Sequence, residues 1–375
     1  MNKKVLQTIG LIAVVVIGVI VFVNQRNDRQ KNVVKIEAVL PLTGDIASYG
    51  KDSQDGIDLA VELVNKSQKQ FKFVVNYSDS RGEPKTAATI TERIFAIGSP
   101  VAIIGEITSS STASMIPICD KNKTFLISPT ASAPHLAGLS SWFFRVYPPD
   151  TEEGVFMAQV VAEQQKNATV CIIFVNNDFG TGLKNVFTEA TQTLGLQVLQ
   201  DFSYSQQNPD FRAILARVKT LNPDAIYMPG YYQDGATLLT QIKEQGISAR
   251  LYGSTTHEDP KLIEIAGSAA EGFMYPISTG FDPNSNDTTV ENFIKEFNSK
   301  HDKDPGLVAA LGYDCAKLII EGVLNNGASS EDIRTYILNT KDLPGAAGTM
   351  NFDAKGEVHK TIVLKGVKDG KFQDL

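Results

Sequence analysis

Chemistry-bearing side chains are scarce in this chain. Its 375 residues contain three cysteines, four histidines and one tryptophan. Cys119, Cys171 and Cys315 are far apart, and each sits in an apolar segment. An odd count permits at most one disulfide and no framework, so buried free thiols are expected. No Cys or His spacing fits a metal site. His135, His257, His301 and His359 stand alone, which suggests surface or loop residues rather than ligands. No phosphate loop accompanies them, and no nucleophile is paired with a base. Beyond the N-terminus there is no basic run, and the net charge of −7 argues against non-specific nucleic-acid binding, which wants a basic surface. Internal repeats, long linkers and low-complexity tracts are also missing. What is left has an ordinary globular composition, 42% hydrophobic and 21% charged. The length suits about two domains. The absences together favour binding without catalysis.

The one long apolar run lies at the start. Lys3-Lys4 precede a continuous stretch from Ile9 to Val23, and counting from Val5 lengthens it to 19 residues with Gln7 and Thr8 inside. At about 1.5 Å per residue the longer count barely spans a hydrocarbon core. A cleavable signal peptide is the competing reading, but its apolar core, about 7–15 residues, should end at a small-residue site. Here the run ends Val21-Phe22-Val23-Asn24-Gln25-Arg26, and no Cys follows that could carry a lipid. The expectation is therefore a signal anchor at residues 5–23, within an N-terminal segment of residues 1–30, with a cleaved peptide as the alternative. Either sends the chain from about Lys31 onward outside the cytoplasm. Positive charge on both flanks gives no help with orientation.

The remainder alternates apolar strand-like runs with helix-like spacing. The first series includes a strand Val33–Leu40, a helix from Gly56 to Asn65 and a strand Phe71–Tyr77. A second series begins after Pro148-Pro149. The last quarter has helices at Leu307–Asn325 and Ser330–Asn339 and ends in strands at Gly348–Phe352 and Lys360–Val367. Asp282–Thr289 is the best candidate for a mobile surface loop. Such alternation predicts an α/β protein with parallel sheets covered on both faces, in two similar lobes.

The most informative stretch is Val101–Cys119. An apolar run ends at Gly105, Glu106 and Ile107 follow, and then come five hydroxyl residues, Thr108 to Thr112, before helical spacing starts. Hydroxyls there cap the helix and surround its free N–H groups, a ready receptor for a carboxylate. The next strand ends in Ser128-Pro-Thr-Ala-Ser132, adding hydroxyls at a neighbouring strand end, where ligands sit in open parallel sheets. Two well-capped turns with no ligand would give the same pattern.

Several segments together resemble a known family: Pro41–Gly50, Ser109–Thr112, Ser128–Pro134, Phe144–Asp150, Asn177–Gly182, Tyr227–Tyr232, Ile265–Gly272 and Leu311–Ala316. In this order and spacing, over about Lys35 to Val367, the chain resembles substrate-binding proteins of the branched-chain amino acid (Leu/Ile/Val-binding type) ABC transport family. The resemblance implies a type I periplasmic-binding fold, two doubly wound lobes joined by three crossing strands, with ligand trapped between them. Lobe one would be residues 33–149 and 279–345, and lobe two residues 150–278 and 346–375. The partners implied are a small amino acid or related carboxylate and a membrane permease driven by a separate ATPase. No cofactor is implied.

By the same resemblance, Ser109 clamps the ligand carboxylate, helped by Thr130 and Ser132. Tyr49 covers the ligand, and Phe179 and Tyr231 close over it. Phe179 departs from the tyrosine often found there. The ammonium partner is less clear. Branched-chain binders often place a glutamate where Thr255 stands, and Thr255 cannot supply charge. A buried ammonium needs a carboxylate or several carbonyls. Asp150 at the crossover is one substitute and Glu258 another, and Asp150 could equally cap the following helix. Three other classes compete with this reading. A hydrolase lacks a histidine near Ser109, and a repressor of similar fold would need an N-terminal helix-turn-helix. A sensor presenting its closed form to a membrane receptor would share all these features.

Overall fold

A computed structural model describes residues 33–206, 210–278, 280–283 and 285–375. The expected anchor at residues 5–23 lies outside the described residues. Among those described, no helix is long and apolar enough to cross a membrane.

Two sheets organise the chain. The first has strand order β2-β1-β3-β4-β5, from β1 (Val33–Leu40), β2 (Lys72–Asp79), β3 (Ala102–Gly105), β4 (Phe125–Ser128) and β5 (Phe143–Arg145), all parallel. Its connections are helices α1 (Ala47–Ser67), α2 (Pro84–Ile97) and α3 (Ser109–Lys121). β3 and β4 are wholly buried runs, as strands covered on both faces require, while β1 is buried along its C-terminal half and carries Lys35 and Glu37 nearer its start. The second sheet runs β12-β11-β10-β9-β8-β6-β7, from β6 (Thr169–Val175), β7 (Gln197–Tyr204), β8 (Ala225–Met228), β9 (Arg250–Gly253), β10 (Met274–Ser278), β11 (Ile362–Lys368) and β12 (Lys371–Asp374). Helices α4 (Asp150–Gln164), α5 (Asp178–Leu194), α6 (Arg212–Leu221), α7 (Tyr232–Glu244) and α8 (Pro260–Ala266) belong with it.

After β10 the chain supplies α9 (Thr288–His301), α10 (Leu307–Asn325) and α11 (Ser330–Asn339). Helix α10 packs closely along α1 of the first lobe. At Gly56 the approach is so near that a Cβ would sit 1.9 Å from the Ala309 carbonyl oxygen. The chain then returns to the second sheet. It thus passes between the sheets after β5, after β10 and between α11 and β11.

Four details differ from the sequence reading. The second sheet is mixed, because β11 pairs antiparallel with both β10 and β12. This strand arrives from the other lobe rather than over a covering helix, so nothing forces a parallel entry. Asp369 and Gly370, both at positive φ, turn it tightly into β12. The expected strand at Gly348–Phe352 is instead a loop with isolated bridges, Leu343 to Met350 and Phe352 to Val358. Helix α1 begins at Ala47, nine residues before Gly56, since its first turns bury Tyr49, Gly50 and Ser53 despite a polar sequence. His257 lies in the turn after β9, as a loop residue, but is fully buried rather than at the surface, with its ring against Phe273. The three cysteines are free and buried.

Candidate functional site: a cleft between two lobes

The C-terminal ends of β1, β3 and β4 face those of β6, β8 and β9, and the loops leaving them line a cleft of about 1280 Å³. Strand ends are where side chains and free helix N-termini converge in such sheets. The hydroxyl turn after β3 is built on Glu106. This fully buried carboxylate accepts from the Thr108 N–H at 2.6 Å, the Thr108 hydroxyl at 2.8 Å and the Ser80 hydroxyl at 2.6 Å. Burial raises its pKa, and those donors offset only part of the rise. Thr108 in turn caps α3 by accepting from the Ser111 N–H at 3.4 Å.

Ser109 opens α3 and lines the cleft. Its Oγ accepts from the Ser132 N–H at 3.2 Å and the Ala133 N–H at 3.1 Å. With its lone pairs so engaged, the hydroxyl proton is left to donate, and a carboxylate is the acceptor it suits. Thr130 also lines the cleft, with its hydroxyl donating to the Ile107 carbonyl at 2.7 Å, which ties the two turns together. Ser132 stands beside it on the same wall.

Aromatic rings form the other walls. Tyr49 meets Tyr232 edge-on, with centroids 5.4 Å apart, and its hydroxyl donates to the Thr256 carbonyl across the cleft. Phe179 and Tyr231 stack at 5.6 Å, and Asn177 donates to the Tyr231 hydroxyl at 3.2 Å. Thr255 accepts from the Tyr147 hydroxyl at 3.0 Å. Further bonds join the lobes. The Ser48 hydroxyl lies 3.0 Å from Asp259 and 3.2 Å from the Tyr232 hydroxyl, and the Asp178 N–H donates to Ser110 at 3.1 Å. The lobes therefore meet in a closed arrangement around the cavity.

Eight of the nine residues singled out from sequence line this cavity: Tyr49, Ser109, Thr130, Ser132, Phe179, Tyr231, Thr255 and Glu258. Asp150 does not. It is wholly buried at the start of α4, behind the wall, with no hydrogen-bond partner for either carboxylate oxygen. Glu153, one helical turn on, is equally buried and accepts from the Thr255 N–H at 3.1 Å. Burial raises both carboxyls. Asp150 raises Glu153 further, while the Ser132 hydroxyl, short of bonding geometry, and the Arg145 charge pull Asp150 back. Glu258, the other candidate for an ammonium, lines the cleft but pairs with Lys365 at 2.7 Å. Glu106, Tyr147, Glu153 and Asp259 were missed. Only Glu106 carried a local signal, a charged residue wedged between a buried strand and its cap.

Two lobes closing on a cavity with an anion-receptive turn define a binding protein of the clamshell kind. The chain belongs to the periplasmic binding protein family, whose model matches residues 33–370. That family works outside the cytoplasm and consists of solute binders. The chain is 24% identical over 330 residues to the leucine-, isoleucine-, valine-, threonine- and alanine-binding protein of Pseudomonas aeruginosa, covering 87% of each. It is 25% identical over 342 residues to the Leu/Ile/Val/Thr-binding protein of Salmonella typhimurium, covering 90% of each. Among solved structures it resembles the leucine-binding protein LivK of Thermotoga maritima, with TM-score 0.85, 29% identity and coverage of 91% and 97%. It also resembles the branched-chain amino acid transporter substrate-binding protein LivJ of Streptococcus pneumoniae in complex with isoleucine, with TM-score 0.83, 26% identity and coverage of 91% and 98%.

Proposed function

We propose that this chain is the extracytoplasmic solute-binding component of an ABC importer and traps an amino acid or related small carboxylate between its lobes. One observation carries the reading. Ser109, at the N-terminus of α3, faces the interlobe cavity with a hydroxyl proton free to donate, beside the Thr130–Ser132 turn. Ligand carboxylate would sit there, under Tyr49 and between Phe179 and Tyr231. The lobes are taken as residues 33–149 with 279–345 and residues 150–278 with 346–375, a division supported by where the chain changes sheet.

The ammonium would face the Thr255 side, where its charge would favour ionisation within the buried Asp150–Glu153 pair behind the wall. Ligand touching both lobes favours the closed form over the open one. The closed shape would dock on a permease served by a separate ATPase, and residues 5–23 would hold the protein at the membrane. A thermal-shift screen of the full chain against the twenty amino acids and small carboxylates tests this. A ligand at about 100 times its dissociation constant adds about 2.7 kcal/mol of stability. No shift with any amino acid or carboxylate would sink the proposal.

A further inference from the structure

The turn that carries Ser132 is fixed from three directions. Ser109 takes the N–H groups of Ser132 and Ala133, and the Asp150 N–H donates to the Ser132 carbonyl at 2.8 Å. The third direction is Arg145, the last residue of β5 and fully buried. Its Nη1 donates to the Ala131 carbonyl at 3.2 Å and the Ala133 carbonyl at 3.0 Å, one on each side of Ser132. Its Nε donates to Glu357 Oε2 at 2.6 Å, and Nη2 faces the same oxygen.

Glu357 lies on the last of the three connections between the sheets, in a small hairpin closed by the bridge from Phe352 to Val358. That hairpin docks on β5. The Arg145 N–H donates to the Gly356 carbonyl at 3.1 Å. Gly356 has φ +77°, and a Cβ there would sit 2.4 Å from the Phe143 carbonyl oxygen, so only glycine allows the approach. One guanidinium therefore touches both the carboxylate turn and the connection that runs on into β11 of the second lobe.

We infer that Arg145, held by Glu357, is a positioning residue that preforms the carboxylate-binding turn and couples it to the third interlobe connection. The inference rests on the reading of that turn as a carboxylate receptor. Packing alone does not account for the arrangement, because a buried ion pair contributes little that an apolar pair of similar volume would not. What an apolar pair lacks is the fork. Arg presents five donors in one plane, enough to hold a carboxylate and two carbonyls at once, whereas the single ammonium of Lys cannot reach all three in that geometry.

The test compares L-leucine with L-leucinamide by calorimetric titration of the full chain. The variants are Arg145→Lys and the double substitution Arg145→Met with Glu357→Leu. The double variant removes both charges together, so it should melt near the wild-type temperature. Each variant should bind L-leucine at least about tenfold more weakly, the size of one lost charge-assisted contact. L-leucinamide binding should change by less than about threefold. Equal losses for acid and amide, or no loss, in a variant that melts like wild type would overturn the inference. Wild type that does not prefer the acid to the amide would overturn the carboxylate reading itself, and the inference with it.

Discussion

Ser109 holds the Ser132 and Ala133 N–H groups with its oxygen and leaves its proton to the cleft. Its hydroxyl is one donor among several at the turn, and the N-terminus of α3 survives its loss. Ser109→Ala should weaken a carboxylate ligand by about 1.5–3 kcal/mol, or roughly 10- to 150-fold in dissociation constant. Calorimetric titration reads this directly, and an unchanged affinity would reduce the serine to a helix cap. Asp150 calls for a different experiment, because it touches the cleft only through its neighbours. If the ligand carries an ammonium, Asp150→Asn should cost about 1.5–3 kcal/mol with an amino acid and far less with a matched acid lacking the amine. Equal losses would move the ammonium elsewhere, with Glu153 next, since Glu258 is engaged by Lys365. The hydroxyl cluster was legible because runs of Ser and Thr before helical spacing have a local cause. Arg145 and Glu153 were not, because their partners lie 212 and 102 residues away along the chain.

At the scale of elements, strand-helix alternation read correctly wherever burial is one-sided or complete. Helix α10 was predicted at Leu307–Asn325 and found there, since twelve of its residues are buried against α1 and the sheet. The loop at Gly348–Phe352 misread because its Met350 and Phe352 are buried by packing, Phe352 against Phe144 of β5, while the backbone makes only isolated bridges. The turn after β9 carries a consequence for acid stability. It holds Thr255 and Thr256 against the cleft, and its buried His257 has Nδ1 about 3.1–3.2 Å from the N–H, carbonyl and hydroxyl of Ser254. Burial pushes the His257 pKa down from 6.5 to about 4. A group depressed in the folded state stabilises above its unfolded pKa, and that contribution is lost as pH falls from 6.5 toward 4. The full loss amounts to about 3 kcal/mol. Denaturant melts at pH 7 and pH 4.5 should show the fall, and His257→Asn should flatten part of it. An unaltered slope in that variant would assign the loss to other groups.

For the whole molecule, family and fold were both legible, because eight short motifs in fixed order specify a topology that no single one does. The mixed edge of the second sheet was not, as pairing direction depends on how the returning chain enters. The N-terminal run predicts that the mature protein keeps its first residues and sediments with membranes. Mass measurement of protein taken from its native membrane checks this, and a soluble product starting between Val21 and Val33 would replace the anchor with a signal peptide.

The contacts of Ser48 with Asp259 and Tyr232, and of the Asp178 N–H with Ser110, join the lobes directly. Such contacts favour closing whatever lies inside, so they scale the affinity for every ligand by one common factor. Ser109 and the 130–133 turn act only on molecules that present the matching group. Strength and choice are therefore tuned by different parts of the cleft. Altering the rim should turn the same receptor into a weaker or tighter one with its order of preferences intact, which makes it the natural place to adjust working range in a biosensor.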